Sequence, residues 1–296
     1  MKKETIFTGA GTALITPLNE KGVDYEAFGR LINWQIEEGI DALIICGTTG
    51  EGSTLSDEEH KEVLEFALKT AAGRVTMIAG TGSNDTNYAI KLSQHACELG
   101  YDALLVITPY YNKATQNGLV AHFTAIADSA TKPIIVYNVP SRTGVNIEPA
   151  TYAKLAQHPN IRGIKEANGN ISKIVETFSL IGDGLDVYSG NDDQIVPLIA
   201  CGGKGVISVL SNIMPKETAL MCKKALSGDI AGAMEMQKAY LKLINLLFCE
   251  VNPIPVKAAT AAMGFGENYL RLPLTKMTEA NEAKLLEAMK EVGITF

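Results

Sequence analysis

Eight short, β-branched apolar runs, separated by stretches of helical period, constrain this chain's fold more than anything else in it. The runs are Thr12–Thr16, Ala42–Cys46, Val75–Ala79, Ala103–Thr108, Ile134–Asn138, Ile161–Lys165, Leu185–Ser189 and Gly205–Ser208. Each is too short for a helix, and most are apolar at nearly every position, as strands buried on both faces are. Between them, the segment opening at Asp24 carries Phe28, Leu31, Ile32 and Ile36 on one helical face. Ser56 and Glu59 form a capping box ahead of Val63, Leu64, Phe66 and Leu68. Strands alternating with helices demand parallel pairing through right-handed crossovers, so eight such units predict an α/β fold closed into a (β/α)8 barrel. An open doubly wound sheet is the alternative. Gly9-Ala10-Gly11 precedes the first run and Pro17 follows it, where that fold would place its glycine-rich phosphate turn.

After Ser208 the pattern turns to helix alone: Pro215–Leu226, Ile230–Phe248, Pro255–Met263 and Thr278–Val292. Ser227-Gly228-Asp229 stops one helix and caps the next, and Gly264 suits a C′ position. The expected organisation is a barrel over 1–228 and a C-terminal helical extension over 229–296. A net charge of −7 would repel a phosphate backbone or an anionic membrane, so neither nucleic acid nor membrane is an expected partner. Cys46, Cys97, Cys201, Cys222 and Cys249 are odd in number and widely spaced, and read as buried thiols of a reducing compartment. The N-terminal apolar run is too short for a signal peptide, and no stretch approaches the roughly 20 apolar residues of a span. A cytoplasmic location is expected.

In a barrel, chemistry gathers where the strands end. The second run leads into Gly47-Thr48-Thr49-Gly50-Glu51 and the fourth into Thr108-Pro109-Tyr110-Tyr111-Asn112. Tyr137-Asn138, Lys165-Glu166, Ser189-Gly190-Asn191 and Ser208 close the fifth to eighth. Lys165 follows Ile161-Arg162-Gly163-Ile164, a position that aims its side chain into the mouth, where poor solvation lowers an ammonium pKa and frees the amine for Schiff-base chemistry. The competing reading pairs it with Glu166 or Glu51. Tyr137, one strand earlier, is either a proton shuttle or a rim aromatic. Thr48 and Thr49 either hold an anion or make a tight turn. Arg142 suits a bidentate carboxylate clamp but means little as a lone surface residue. The four histidines are far apart, so no metal site is expected, and Asn191-Asp192-Asp193 reads as a helix N-cap.

Gly47-Thr48-Thr49-Gly50-Glu51, Tyr137-Asn138-Val139-Pro140-Ser141-Arg142-Thr143-Gly144 and Ile164-Lys165-Glu166 together resemble the signatures of the pyruvate-dependent class I aldolase family, which includes the N-acetylneuraminate lyases. The likeness runs nearly end to end, through Thr108-Pro109-Tyr110-Tyr111-Asn112, Ser189-Gly190-Asn191-Asp192 and Asn252-Pro253-Ile254-Pro255-Val256-Lys257. It implies a lyase that condenses pyruvate with L-aspartate 4-semialdehyde through an imine on Lys165, at the first committed step of diaminopimelate and lysine biosynthesis. Tyr137 would pass protons, relayed through Thr48 and Tyr111 to water. Thr49, Gly190 and the backbone at Ile207 would hold pyruvate, and Arg142 the carboxylate of the second substrate. The matching second tyrosine reaches a neighbouring subunit's site in the family, so Tyr111 implies a homo-oligomer, usually a tetramer of two tight dimers. No metal or organic cofactor is implied.

The alternatives within the family are N-acetylneuraminate lyase and the 2-keto-3-deoxy sugar acid aldolases. The lyases resemble Gly-Ser-Thr-Gly-Glu where this chain has Thr48, and lack an arginine matching Arg142. A small anionic aldehyde needs a cation where a sugar chain needs hydrogen bonds, so Arg142 separates the two. A catalytically dead barrel would be expected to lose Lys165, Tyr137, Thr48 or Tyr111, and all four are present. Lysine-inhibited members carry a glutamate where this chain has Tyr88 and a histidine where it has Asp57, so weak or absent lysine inhibition is expected.

Overall fold

The structure, a computed structural model, describes residues 3–296. Eight parallel strands close into one barrel in chain order: β1 (Gly9–Ala13), β2 (Ala42–Ile45), β3 (Thr76–Gly80), β4 (Ala103–Ile107), β5 (Ile134–Asn138), β6 (Ile161–Glu166), β7 (Asp186–Ser189) and β8 (Gly205–Ser208). The seam sets Gly9 opposite Gly205 and Thr12 opposite Ser208. Asn212, just past β8, latches it: the side chain donates to Ala13 O at 2.9 Å and accepts from Ile15 N at 3.0 Å.

Strand β1 corrects the expectation of Thr12–Thr16. It begins at Gly9, and Gly9-Ala10-Gly11 lies inside the strand instead of ahead of it. The glycines are there for crowding: a Cβ on Gly9 would collide with the Asp41 carboxylate, and one on Gly11 would lie 2.9 Å from Ile44 Cδ1. A small antiparallel hairpin, Leu18–Asn19 with Gly22–Val23, was also not foreseen.

Alternation along the strands divides the apolar residues into two cores. Ala42, Ile44, Ile78, Leu105, Ile135, Tyr188 and Ile207 fill the barrel interior, whereas Leu43, Ile45, Leu104, Val136, Ile164 and Val206 face the surrounding helices. Those helices are α1 (Tyr25–Glu37), α2 (Asp57–Ala71), α3 (Thr86–Leu99), α4 (Gln116–Ser129), α5 (Pro149–Leu155), α6 (Ile171–Ile181), α7 (Ile195–Ala200) and α8 (Pro215–Leu226). Asp24 caps α1 through Ala27 N at 3.0 Å. The Ser56–Glu59 box opens α2 with both of its reciprocal bonds made, at 3.2 and 2.9 Å.

The N-terminal segment closes the floor. Phe7 stacks on Tyr188 with centroids 4.2 Å apart, and the Tyr188 hydroxyl donates to Phe7 O at 2.7 Å. Ile6 N donates to Asp186, and Lys3 Nζ donates to the carbonyls of Ala156, His158 and Ile161. With the floor filled, chemistry is left to the opposite mouth.

Beyond α8 come α9 (Ile230–Leu246), α10 (Ile254–Ala262) and α11 (Glu279–Glu291). Helix α9 packs on α8 and α7, and Gln237 donates to Asp192 O at 2.6 Å, tying the extension to the mouth. The five cysteines are free thiols, but only Cys46 and Cys222 are buried; Cys249, in the turn after α9, is exposed. Among the described residues no helix is long and apolar enough to cross a membrane.

Candidate active site

Strand β6 runs Ile161-Arg162-Gly163-Ile164-Lys165-Glu166, and its pleat turns Gly163 and Lys165 inward while Ile164 packs outward. Register places Lys165 between Tyr137 on β5 and Tyr188 on β7, both members of the inner core. The Lys165 side chain is therefore enclosed, with the residue 5% exposed, and Nζ lies 4.4 Å from the centre of the Tyr137 ring. Among the described residues no carboxylate forms a salt bridge with it. Glu51 pairs with Lys257 instead. Glu166 accepts from the Tyr152 hydroxyl at 2.7 Å and from Asn138 Nδ2 and Asn168 N at 2.9 Å each. Neither alternative partner is free for Lys165.

Burial without a salt-bridge partner has a large electrical consequence. Loss of solvation pushes the Lys165 amine down to about 7, with the Asp192 carboxylate opposing and the Arg142 guanidinium adding to the shift. Burial pushes Tyr137 up to about 12, against the pull of Arg142 and of the Thr48 hydroxyl. Near neutral pH the site thus offers a deprotonated amine beside a phenol that keeps its proton.

The turn after β2 is built tightly. A Cβ on Gly50 would sit 2.9 Å from Leu14 O, and Glu51 adopts φ 52, a left-handed conformation held by its buried partner. The turn leaves Thr48 half-buried and Thr49 buried, with Thr49 Oγ1 accepting from Asn252 Nδ2 at 3.0 Å. After β5, Pro140 opens a single helical turn, Pro140–Thr143, that carries Arg142; its Nη2 donates to Asn252 O at 3.0 Å. Gly190 seats its backbone against the end of β6, donating to Glu166 O at 2.7 Å. A Cβ there would lie 2.8 Å from Ala167 Cβ. Ile207 is fully buried in the barrel interior.

A cavity of about 470 Å³ opens at the mouth, walled by Thr48, Tyr137, Arg142 and Thr143, with Asp57, His60, Tyr88 and Tyr110 farther along its wall. The Tyr88 hydroxyl donates to Asp57 at 2.7 Å. Tyr111 stands apart from this chain's own site: it is 92% exposed, at φ 70.

Two features depart from the sequence reading. Asn191 makes no capping bond; Asp192 is instead buried, its Oδ2 accepting from Val209 N at 3.0 Å and Leu210 N at 2.8 Å, with Oδ1 unpartnered. The backbone donors past β8 needed an acceptor, and the loop after β7 brings one to them. Asn252 and Lys257 were not singled out as site residues. An isolated lysine in the apolar helix Ile-Pro-Val-Lys-Ala-Ala-Thr-Ala-Ala was the available signal, because a lysine is almost never buried unpaired.

Comparison with known proteins gives the family. The chain is 51% identical over 289 residues to a 4-hydroxy-tetrahydrodipicolinate synthase of Alkaliphilus oremlandii, covering 98% of this chain and 100% of that one. Among solved structures, dihydrodipicolinate synthase from Aquifex aeolicus superposes with a TM-score of 0.96 at 48% identity, over 97% of this chain and 99% of the other. The chloride-inhibited dihydrodipicolinate synthase from Acinetobacter baumannii, solved in complex with pyruvate, gives a TM-score of 0.96 at 43% identity, over 98% and 100%. Residues 6–292 match the family model as well, and the chain belongs to the dihydrodipicolinate synthetase family.

Proposed function

We propose that this chain condenses pyruvate with L-aspartate 4-semialdehyde to 4-hydroxy-tetrahydrodipicolinate, with Lys165 as the covalent catalyst. One observation carries the reading: Lys165 is buried in the barrel mouth, free of any salt bridge among the described residues, against the Tyr137 ring. An amine with a pKa near 7 is in large part unprotonated at neutral pH and can attack the C2 carbonyl of pyruvate. Tyr137 donates the proton that lets the carbinolamine lose water. The iminium then draws electrons from the methyl group, C3 loses a proton, and the enamine carbon attacks the aldehyde. The second substrate's own amine displaces Lys165 and closes the six-membered ring. The protonated imine serves as electron sink, so no step requires a metal or an organic cofactor.

Thr49, the backbone at Ile207 and the end of β7 at Gly190 hold the pyruvate, and Arg142 holds the carboxylate of the aldehyde substrate. Tyr111, exposed and in a left-handed conformation, completes the proton relay through Thr48 in a neighbouring copy, which makes the working unit a homo-oligomer, a tetramer of two tight dimers in this reading. The product feeds diaminopimelate and lysine synthesis in the cytoplasm. Inhibition by lysine is weak or absent, since the Asp57 carboxylate is engaged by Tyr88. Borohydride added with pyruvate is expected to leave a reduced adduct on Lys165, located by peptide mass mapping. An unlabelled protein, or an adduct that persists in Lys165→Ala, would end this assignment.

A further inference from the structure

The turn that carries Thr49 and the turn that carries Arg142 come from different strands, and neither touches the other through a direct hydrogen bond. One residue of the C-terminal segment joins them. Asn252, 6% exposed, donates from Nδ2 to Thr49 Oγ1 at 3.0 Å, while its backbone carbonyl accepts from Arg142 Nη2 at 3.0 Å. Its remaining amide oxygen is buried with no donor. The bond it gives to Thr49 is the one hydrogen bond the amide makes among the described residues.

That bond fixes the polarity of the threonine. A hydroxyl has one proton, and an N–H directed into its oxygen leaves that proton to be donated elsewhere. Among the described residues the Thr49 hydroxyl donates to nothing, so its proton is free for an anion. The frame behind Asn252 is stiff. Five residues later Lys257 pairs with Glu51, both side chains 1% exposed, at the end of the same Gly47–Glu51 turn. Arg271 adds bonds from its N to Glu51 at 3.3 Å and from its guanidinium to Thr54 O and Glu59. A buried ion pair contributes little net stability, but it fixes where its two partners stand.

We propose that Asn252 is a positioning residue for both substrates: it turns the Thr49 hydroxyl into a donor for the pyruvate carboxylate and holds the Arg142 guanidinium over the site of the second carboxylate. The inference rests on the condensation proposed above. Borohydride labelling of the unaltered protein tests that reading first, and a protein that is not labelled at all defeats the reading before any variant is made.

Asn252→Asp replaces the donor with an acceptor of the same shape. The Thr49 hydroxyl then turns its proton to the new carboxylate and away from the ligand. In the full-length chain, the pyruvate concentration giving half the maximal borohydride-inactivation rate should rise about tenfold or more, the size of one charge-assisted hydrogen bond. The limiting rate at saturating pyruvate should stay within about twofold, because Lys165 is untouched. Asn252→Ala, which frees the hydroxyl without reversing it, should raise the half-saturating concentration by a smaller factor of about three. In steady-state assays both variants should raise KM for L-aspartate 4-semialdehyde more than they lower kcat. An unchanged half-saturation in Asn252→Asp overturns the proposal, as does a limiting rate that falls in step with affinity. If Asn252→Asp does not fold, Asn252→Ala decides by the same two readouts.

Discussion

Two lysines are buried among the described residues, and they behave oppositely. Lys257, on α10, is 1% exposed and pairs with Glu51. Lys165, on β6, is 5% exposed and lies over the phenol ring of Tyr137. Burial lowers the pKa of both amines. At Lys257 the charge and hydrogen bond of Glu51 push back, and the ammonium persists as half of an ion pair. At Lys165 the opposing carboxylate, Asp192, is hydrogen-bonded to backbone donors of the next strand's loop instead. Burial alone does not make a lysine nucleophilic; withholding the counter-charge does.

Exchanging each lysine for methionine should break the comparison most sharply. Lys165→Met is expected to abolish condensation by about 10⁴-fold or more while keeping or raising stability, since it removes a buried unpaired amine. Lys257→Met leaves Glu51 buried and unpaired, and should cost about 3–5 kcal/mol in denaturant unfolding while the folded fraction still forms an adduct on Lys165. Catalytic loss from Lys257→Met with full stability would erase the distinction. Arg142→Ala should raise KM for L-aspartate 4-semialdehyde by about 10–100-fold, with imine formation from pyruvate altered by only about threefold. Equal damage to both would assign Arg142 a general role.

The gentlest test is pH. With the folded amine near 7, the rate of imine formation at subsaturating pyruvate should climb about tenfold per pH unit below that value and level above it. The unfolded lysine keeps its proton to about 10.5, so between these limits the unfolded chain binds more protons and Lys165 makes stability rise with pH. Lys165→Met should remove that increment from the pH dependence of unfolding. A plateau reached only near pH 10 would show the amine to be solvated or paired.

The barrel was legible because its strands alternate with helices and because a lysine at the end of an apolar run has only the mouth to enter. Tyr137 followed from the same rule one strand earlier. What escaped the sequence is of a different kind. The start of β1 was misplaced because glycines that punctuate most chains lie here inside a strand, where a Cβ on Gly9 would meet Asp41 and one on Gly11 would meet Ile44. Asp192 read as a cap because local spacing cannot reveal backbone donors waiting at Val209 and Leu210. Asn252 and Lys257 reach Thr49 and Glu51, more than 200 positions away, and no local pattern encodes a contact at that range.

The latched seam has a consequence for how the protein is made. Strand β1 leaves the ribosome first, yet one of its two neighbours is β8, and Asn212, which clasps Ala13 and Ile15, is synthesised later still. Until then any sheet the emerging strands form has two open edges, each a template for pairing with another chain. Vectorial synthesis therefore cannot complete this barrel strand by strand. Closure waits for residues near position 210, and a chain that stops short of them keeps both edges open.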